Sequence, residues 1–253
     1  MELIYTFMKI KIAGMCCTVN SMYATTEKFC AEYITHEEPE INISITPQDI
    51  EFERNVNIKA NEQDGIYGRS FLDSNLEIIA VQRKITEALF EYDTVLFHGS
   101  VIAVDGAAYL FTAKSGTGKS THTRLWREML GERAIMVNDD KPFISINENG
   151  GVIVHGSPWN GKHRLGENIS APLRAICILE RGDVNKIERI PASKALKMLI
   201  QQSSRPSNPA LMGKYMELID GISRGVAFYR LECNMDPEAA RVAYEAMSGV
   251  SLD

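Results

Sequence analysis

The sequence predicts an α/β protein: a mixed β-sheet domain with a phosphate-binding loop (P-loop) and outer helices, preceded by a small α+β region. Three observations predict it. The apolar run Ala107–Thr112 leads directly into a glycine-rich loop, and apolar residues at helical spacing follow. Other short apolar runs succeed one another around that loop too closely for a simple strand–helix–strand repeat, which points to a mixed sheet. Before residue 93, strand and helix patterns alternate without any motif that carries chemistry. The expected division is therefore 1–92, the α+β region, and 93–253, the loop-bearing domain.

In order, residues 2–13 read as a strand, Tyr23–Tyr33 as a helix and Ile41–Ile45 as a strand. A longer helix is expected over Leu76–Tyr92, with Ile78, Ile79, Val81, Ile85, Leu89 and Phe90 on its apolar side. This first region either packs on the second or recognises a substrate, and its residues do not choose between the two. In the second region Val104-Asp105-Gly106-Ala107 reads as a hairpin turn. After the loop, Leu125, Trp126, Met129 and Leu130 define a helix that Gly131 stops. Strands are expected at Ala134–Asn138, Phe143–Ile146, Val152–Val154, Ala175–Leu179 and Val226–Leu231. Helices are expected over Ala192–Gln202, Pro209–Asp220 and Pro237–Met247.

The loop itself is Ala113-Lys114-Ser115-Gly116-Thr117-Gly118-Lys119-Ser120. Successive backbone N–H groups in such a loop wrap the phosphates of a nucleotide, and the following helix aims its positive end at them. Ser115, Gly116, Thr117, Gly118 and Thr121 are the expected phosphate neighbours. Lys119 adds a point charge near the outermost phosphates, and the Ser120 hydroxyl is a ligand for Mg²⁺. Ala113 stands where the standard pattern has its first glycine, which is tolerable if its φ stays negative.

About twenty residues on, the strand Ala134–Asn138 ends in Asp139-Asp140. A carboxylate at the end of a neighbouring strand can hold Mg²⁺, and a second beside it can take the proton of an attacking hydroxyl. The competing reading of Asn-Asp-Asp-Lys-Pro is an ordinary turn, and the loop upstream favours the chemical one.

These pieces together, Phe97-His98-Gly99-Ser100-Val101, the hairpin, the loop and the Asp pair, resemble the catalytic domain of HPr kinase/phosphorylase. That core is shared more distantly with phosphoenolpyruvate carboxykinase. The resemblance covers about residues 95 to 160. It implies ATP and Mg²⁺ as cofactors, with Lys119 and Ser120 on the phosphates and metal. It divides metal binding and general-base work between Asp139 and Asp140 without saying which does which, and sets His98 beside the transferred group. Two departures stand out: Thr121 replaces the family's usual Glu, and the family's later phosphorylase signature has no counterpart. Phosphorolysis and recognition of HPr itself are therefore not expected.

In place of that signature stands Gly156-Ser157-Pro158-Trp159-Asn160-Gly161-Lys162-His163, a loop by composition. Trp159, Lys162 and His163 in it either reach nucleotide, with Lys162 neutralising charge on the γ-phosphoryl group, or form a plain connection with Trp159 plugging the core. Arg164, Arg174 and Arg205 are weaker cationic candidates, Arg205 lying in a proline-rich segment, 203–209, that suits a lid.

Net charge is −6 with no basic tract, which argues against nucleic acid or an anionic membrane as partner. No apolar run reaches the ~20 residues that span a bilayer, and Lys9 and Lys11 interrupt the apolar N-terminus. A cytoplasmic protein is expected. The five cysteines show no C-x-x-C spacing, so reduced thiols are expected rather than a zinc or redox site. The expected activity is a kinase that moves the ATP γ-phosphoryl group to a hydroxyl, on a serine of a protein or peptide or on a small molecule such as a polyol. The alternative from another class is a nucleotide-binding sensor with little catalysis. The sequence leaves open whether the chain works alone or as a homo-oligomer.

Overall fold

The computed structural model of the protein describes residues 6–114 and 116–252. The chain divides into two units, Met1–Ala88 and Leu89–Asp253.

The first unit holds a three-stranded sheet. Strands β1 (Thr6–Ile12) and β2 (Met15–Ser21) pair antiparallel from Thr6↔Ser21 to Ile12↔Met15, and β3 (Ile41–Ser44) joins β2 in parallel. Of the strand expected at 2–13, residues 2–5 lie outside the described residues. Between β1 and β2 the chain reverses on Ala13 and Gly14, with φ of 50° and 86°, the left-handed pair that a two-residue hairpin requires. The helix expected over Tyr23–Tyr33 is shorter: α1 spans Ala24–Phe29, and a 3₁₀ turn occupies Ala31–Tyr33. A buried carboxylate from elsewhere caps its start. Glu77 accepts from the amides of Met22 and Tyr23 at 2.5 and 3.1 Å and from the Thr26 hydroxyl.

A helix that the apolar pattern does not reveal follows. Helix α2 (Pro47–Gln63) opens on a capping box in which Thr46 and Asp49 satisfy each other's amides, with Pro47 in the first turn. Only Ile50 and Glu53 of it are buried, so no apolar stripe marks it. Helix α3 (Asp73–Leu89) matches the longer expected helix, and a 3₁₀ turn at Phe90–Tyr92 completes that span.

The second unit is a mixed sheet covered by helices on both faces. Its elements are β4 (Thr94–Leu96), β5 (Ser100–Val104), β6 (Ala107–Thr112), α4 (Lys119–Leu130), β7 (Ala134–Asn138), β8 (Phe143–Ile146), β9 (Val152–His155) and β10 (Ser170–Arg181). Then come β11 (Lys186–Ile190), α5 (Ala192–Gln202), α6 (Met212–Gly225), β12 (Ala227–Cys233) and α7 (Glu238–Ser248). Strand order is β4-β8-β9-β10-β6-β5-β7, with β12 pairing β10 and β11 pairing β12. Alternate residues of β6 serve opposite faces. Ala108 and Leu110 join the cluster with Leu199, Tyr215 and Leu218 of α5 and α6, while Tyr109 and Phe111 join Trp126 of α4 and Tyr244 of α7. A strand buried on both faces reads as an unbroken apolar run, which is how this one appears in the sequence.

Strand directions decide where the motifs meet. Strand β6 is parallel to β10, which is parallel to β12; β5 is antiparallel to both β6 and β7. Strands β6, β7, β10 and β12 therefore end at one edge of the sheet, where β5 begins.

Candidate functional site

At that edge β6 gives way to the glycine loop. Gly116 and Gly118 take φ of 74° and 120°, conformations that L-residues rarely adopt, while Ala113 does not take a positive φ. The Thr117 amide and hydroxyl both donate to the Lys114 carbonyl, at 3.2 and 2.8 Å, closing the turn. Helix α4 begins at Lys119 with no side-chain cap. Its first-turn amides are thus open to an anion, which the helix dipole also favours. Ser115, assigned to the loop from sequence, lies outside the described residues.

Lys119 is half-buried, and burial pulls its ammonium below the usual lysine range, with Asp140 opposing and Lys141 reinforcing the shift. The ammonium has no hydrogen-bond partner among the described residues. Ser120 is exposed and Thr121 half-buried.

Strand β7 delivers the carboxylates. Asn138, fully buried, fixes the turn: its side-chain oxygen accepts from the amides of Asp140 and Lys141 at 2.8 and 2.6 Å. Its amide donates to the Ser157 carbonyl and hydroxyl, at 3.2 and 3.1 Å, tying this turn to the 156–163 loop. One Asp139 oxygen accepts from the Gly161 amide at 2.6 Å. A Cβ on Gly161 would lie 2.9 Å from the other oxygen, so only glycine fits there without a shift.

Asp140 points to the histidine. His98 Nε2 and Asp140 Oδ1 are 3.2 Å apart, and the Gly99 amide donates to the Asp140 carbonyl at 3.0 Å. Burial alone would push the Asp140 carboxyl up. The His98 hydrogen bond and the charges of Lys141, His98 and Lys119 outweigh it and hold the group below the usual carboxylate range. Gly99 also lets the chain press against β6, since a Cβ there would meet Leu110 at 3.0 Å and the Phe111 carbonyl at 3.1 Å. His98 is held on both sides: the Thr112 hydroxyl donates to its carbonyl at 3.1 Å, and its own amide donates to the Gln202 carbonyl at 2.7 Å. The opening of the 203–209 segment is thereby sewn beside His98.

The sheet edge thus gathers Gly116, Thr117, Gly118, Lys119, Ser120, Thr121, Asp139, Asp140 and His98. The remaining candidates behave differently. Trp159 is buried against Phe143, ring centroids 6.3 Å apart, so it is a core plug rather than a platform for a base. Lys162 is exposed and without a partner among the described residues. His155, at the end of β9, is buried between the Ser145 and Ser170 hydroxyls, at 2.8 and 2.7 Å. Arg174 and Arg205 are exposed. One residue escaped the sequence reading: Arg181, at the end of β10, donates to the Gly116 carbonyl at 2.6 Å and braces the loop from outside. Its signal is topological, because only the parallel pairing of β10 with β6 brings it there.

A family model described as SynChlorMet cassette protein ScmC matches residues 70–235, about two thirds of the sequence. The chain belongs to the ScmC family. The matched span of this ScmC-family chain contains every residue of the edge cluster. No curated protein matches the chain. Among solved structures it is similar to the Hpr(Ser) kinase/phosphatase from Coxiella burnetii, at 11% identity over 61% of this chain and 93% of that one. The TM-score is 0.33, too loose a superposition to carry an argument. No helix among the described residues is long and apolar enough to cross a membrane.

Proposed function

We propose that this ScmC-family chain is a Mg²⁺- and ATP-dependent phosphotransferase that moves the γ-phosphoryl group to a hydroxyl, with a serine of a protein or peptide as the acceptor. The observation that carries this reading is the meeting of an uncapped helix start, a desolvated and unpartnered Lys119, and the Asp140–His98 pair at one sheet edge. A triphosphate satisfies the first two together, and the third supplies an ionised carboxylate beside them.

A hydroxyl and a carboxylate, Ser120 and Asp139, are the oxygen donors that suit Mg²⁺. Among the described residues no group of three His, Cys, Asp or Glu side chains forms a metal cage. Mg²⁺ in such sites takes one or two protein oxygens and completes its shell with phosphate and water. Ser120 and the Asp139 oxygen not bonded to Gly161 would hold the ion, which would supply charge neutralisation for the phosphates.

The partners of the two carboxylates support a division of labour between them. Asp139, fixed by Gly161, holds the metal. Asp140, kept ionised, accepts the acceptor's hydroxyl proton as the new P–O bond forms and the β–γ bridging bond breaks to release ADP. His98 orients Asp140 and stabilises its charge, while Lys119 stabilises charge on the transferring group.

The test is transfer from γ-labelled ATP to serine peptides and cell extract, in wild type and Asp140→Asn. Label should reach a peptide or protein with the wild type, and the variant should lose transfer while still binding nucleotide. An undiminished rate in Asp140→Asn overturns the assignment. Label on a metabolite would make the protein a small-molecule kinase, and nucleotide binding without transfer would make it a sensor.

A further inference from the structure

A cleft of about 970 Å³ runs from the loop along α4. Ser120 and Asp139 stand at its head. Its helical wall is one face of α4, carrying Ser120, Arg124 and Arg127 and continued by Gly131 just past the helix end, each about one turn beyond the last. Ala134 and Met136 of β7 and Leu165 supply its apolar lining. The volume is at the upper end for small-molecule sites, and the shape follows three turns of helix.

Charge along the wall is uneven. Arg124 is neutralised by Glu128 at 2.6 Å. Arg127, half-buried one turn further, has no side-chain partner among the described residues. Glu132 lies at the far end and makes a second acidic group there unwelcome. A half-buried cation without a counter-charge is an invitation to an anion at that depth.

We infer that this cleft is the docking groove for the acceptor, and that the acceptor is an extended peptide with an acidic residue three positions from the phosphorylated serine. The inference rests on the phosphotransferase reading above. The spacing comes from two rises. Ser120 to Arg127 is seven residues of helix, about 10.5 Å at 1.5 Å per residue. An extended chain advances about 3.3 Å per residue, so three residues cover it. A serine placed at the groove head, where Ser120 and Asp139 stand and Asp140 follows next in the chain, then sets its third neighbour against Arg127, with the residues between resting on Met136 and Leu165.

The experiment uses the full chain and synthetic serine peptides bearing Asp or Lys three positions before or after the serine, plus matching peptides with Ala for Ser. Transfer from γ-labelled ATP and anisotropy of the Ala peptides are both read, in wild type and Arg127→Glu, with ATP hydrolysis by water as the control for intact folding. Wild type should favour one Asp peptide over its Lys counterpart by about tenfold, and Arg127→Glu should reverse that order. Hydrolysis should be the same in both. Arg127-dependent binding without transfer supports the groove and removes the kinase reading. Transfer with no dependence on Arg127 overturns the groove and keeps the kinase. Neither binding nor transfer of any peptide overturns the groove as well.

Discussion

In residues 1–88, Asp49 meets Arg83 and Lys84 at 3.1 and 2.7 Å, Glu53 meets Arg83 at 2.5 Å, and buried Glu77 is wrapped by backbone amides. Around the loop of residues 89–253, by contrast, Lys119 is half-buried without a partner and the start of α4 is uncapped. Acidic residues outnumber basic ones by six in the first unit, which is the whole net charge of −6, so the second unit is neutral. Net charge therefore sits in the unit that lacks the glycine loop. The two units differ in pairing: the first satisfies its buried charges internally, and the second leaves half-buried Lys119 and Arg127 without a side-chain partner among the described residues.

The largest effect should come from the unpaired lysine. Lys119→Ala is expected to cut turnover with ATP on the order of a hundredfold or more, as loss of a single transition-state charge contact does. Lys84→Ala, at a paired lysine, should leave turnover unchanged and cost about 1 kcal/mol of stability in urea titrations. Equal losses of turnover in both would erase the distinction.

Next is the cap. Glu77→Ala strands three donors inside the first unit and should cost about 3 kcal/mol. Hydrogen exchange at Met22, Tyr23 and Thr26 should accelerate while the β6 amides stay protected.

Acid should separate the units as well. Burial holds His122 down to about 3 and His155 to about 4, against 6.5 for the free side chain. The unfolded chain then binds more protons, so stability is complete above pH 6.5 and drains as pH falls toward 4 and below. Burial would raise Asp49, but bonds from Lys84, Thr46 and Arg83 outweigh it and bring the group to about 2. Its contribution is present above 3.8 and is lost only as pH falls toward 2. Exchange protection between pH 6 and 4.5 should therefore weaken in residues 89–253 and hold around Asp49; the reverse order would contradict the burial of the two histidines.

The smallest effect should be Gly161→Ala, which crowds the Asp139 carboxylate at 2.9 Å. It is expected to raise the Mg²⁺ requirement several-fold with little change in stability.

Much of the second unit was legible because its strands are buried on both faces and its loop carries its own punctuation. Strands β7 and β8 and helix α5 fall on their expected residues. Strand β11 was not legible, since Lys186, Glu188 and Arg189 leave only Ile187 and Ile190 as signal on an edge strand. Helix α2 has no apolar stripe, although Thr46-Pro47 and Asp49 announce its start. The hairpin at Ala13-Gly14 hides because alanine seldom takes the left-handed conformation it adopts there. Within the site, the loop, Asp139, Asp140 and His98 were readable as motifs. Arg181 and Gly161 were not, because each acts through a neighbour that only the folded sheet supplies.

The most direct measurement is a calorimetric titration of wild type and Lys119→Ala with a non-hydrolysable ATP analogue and Mg²⁺. The account predicts one site per chain in the wild type, weakened at least about tenfold in the variant. No binding to the wild type, or equal affinity for both proteins, would contradict it.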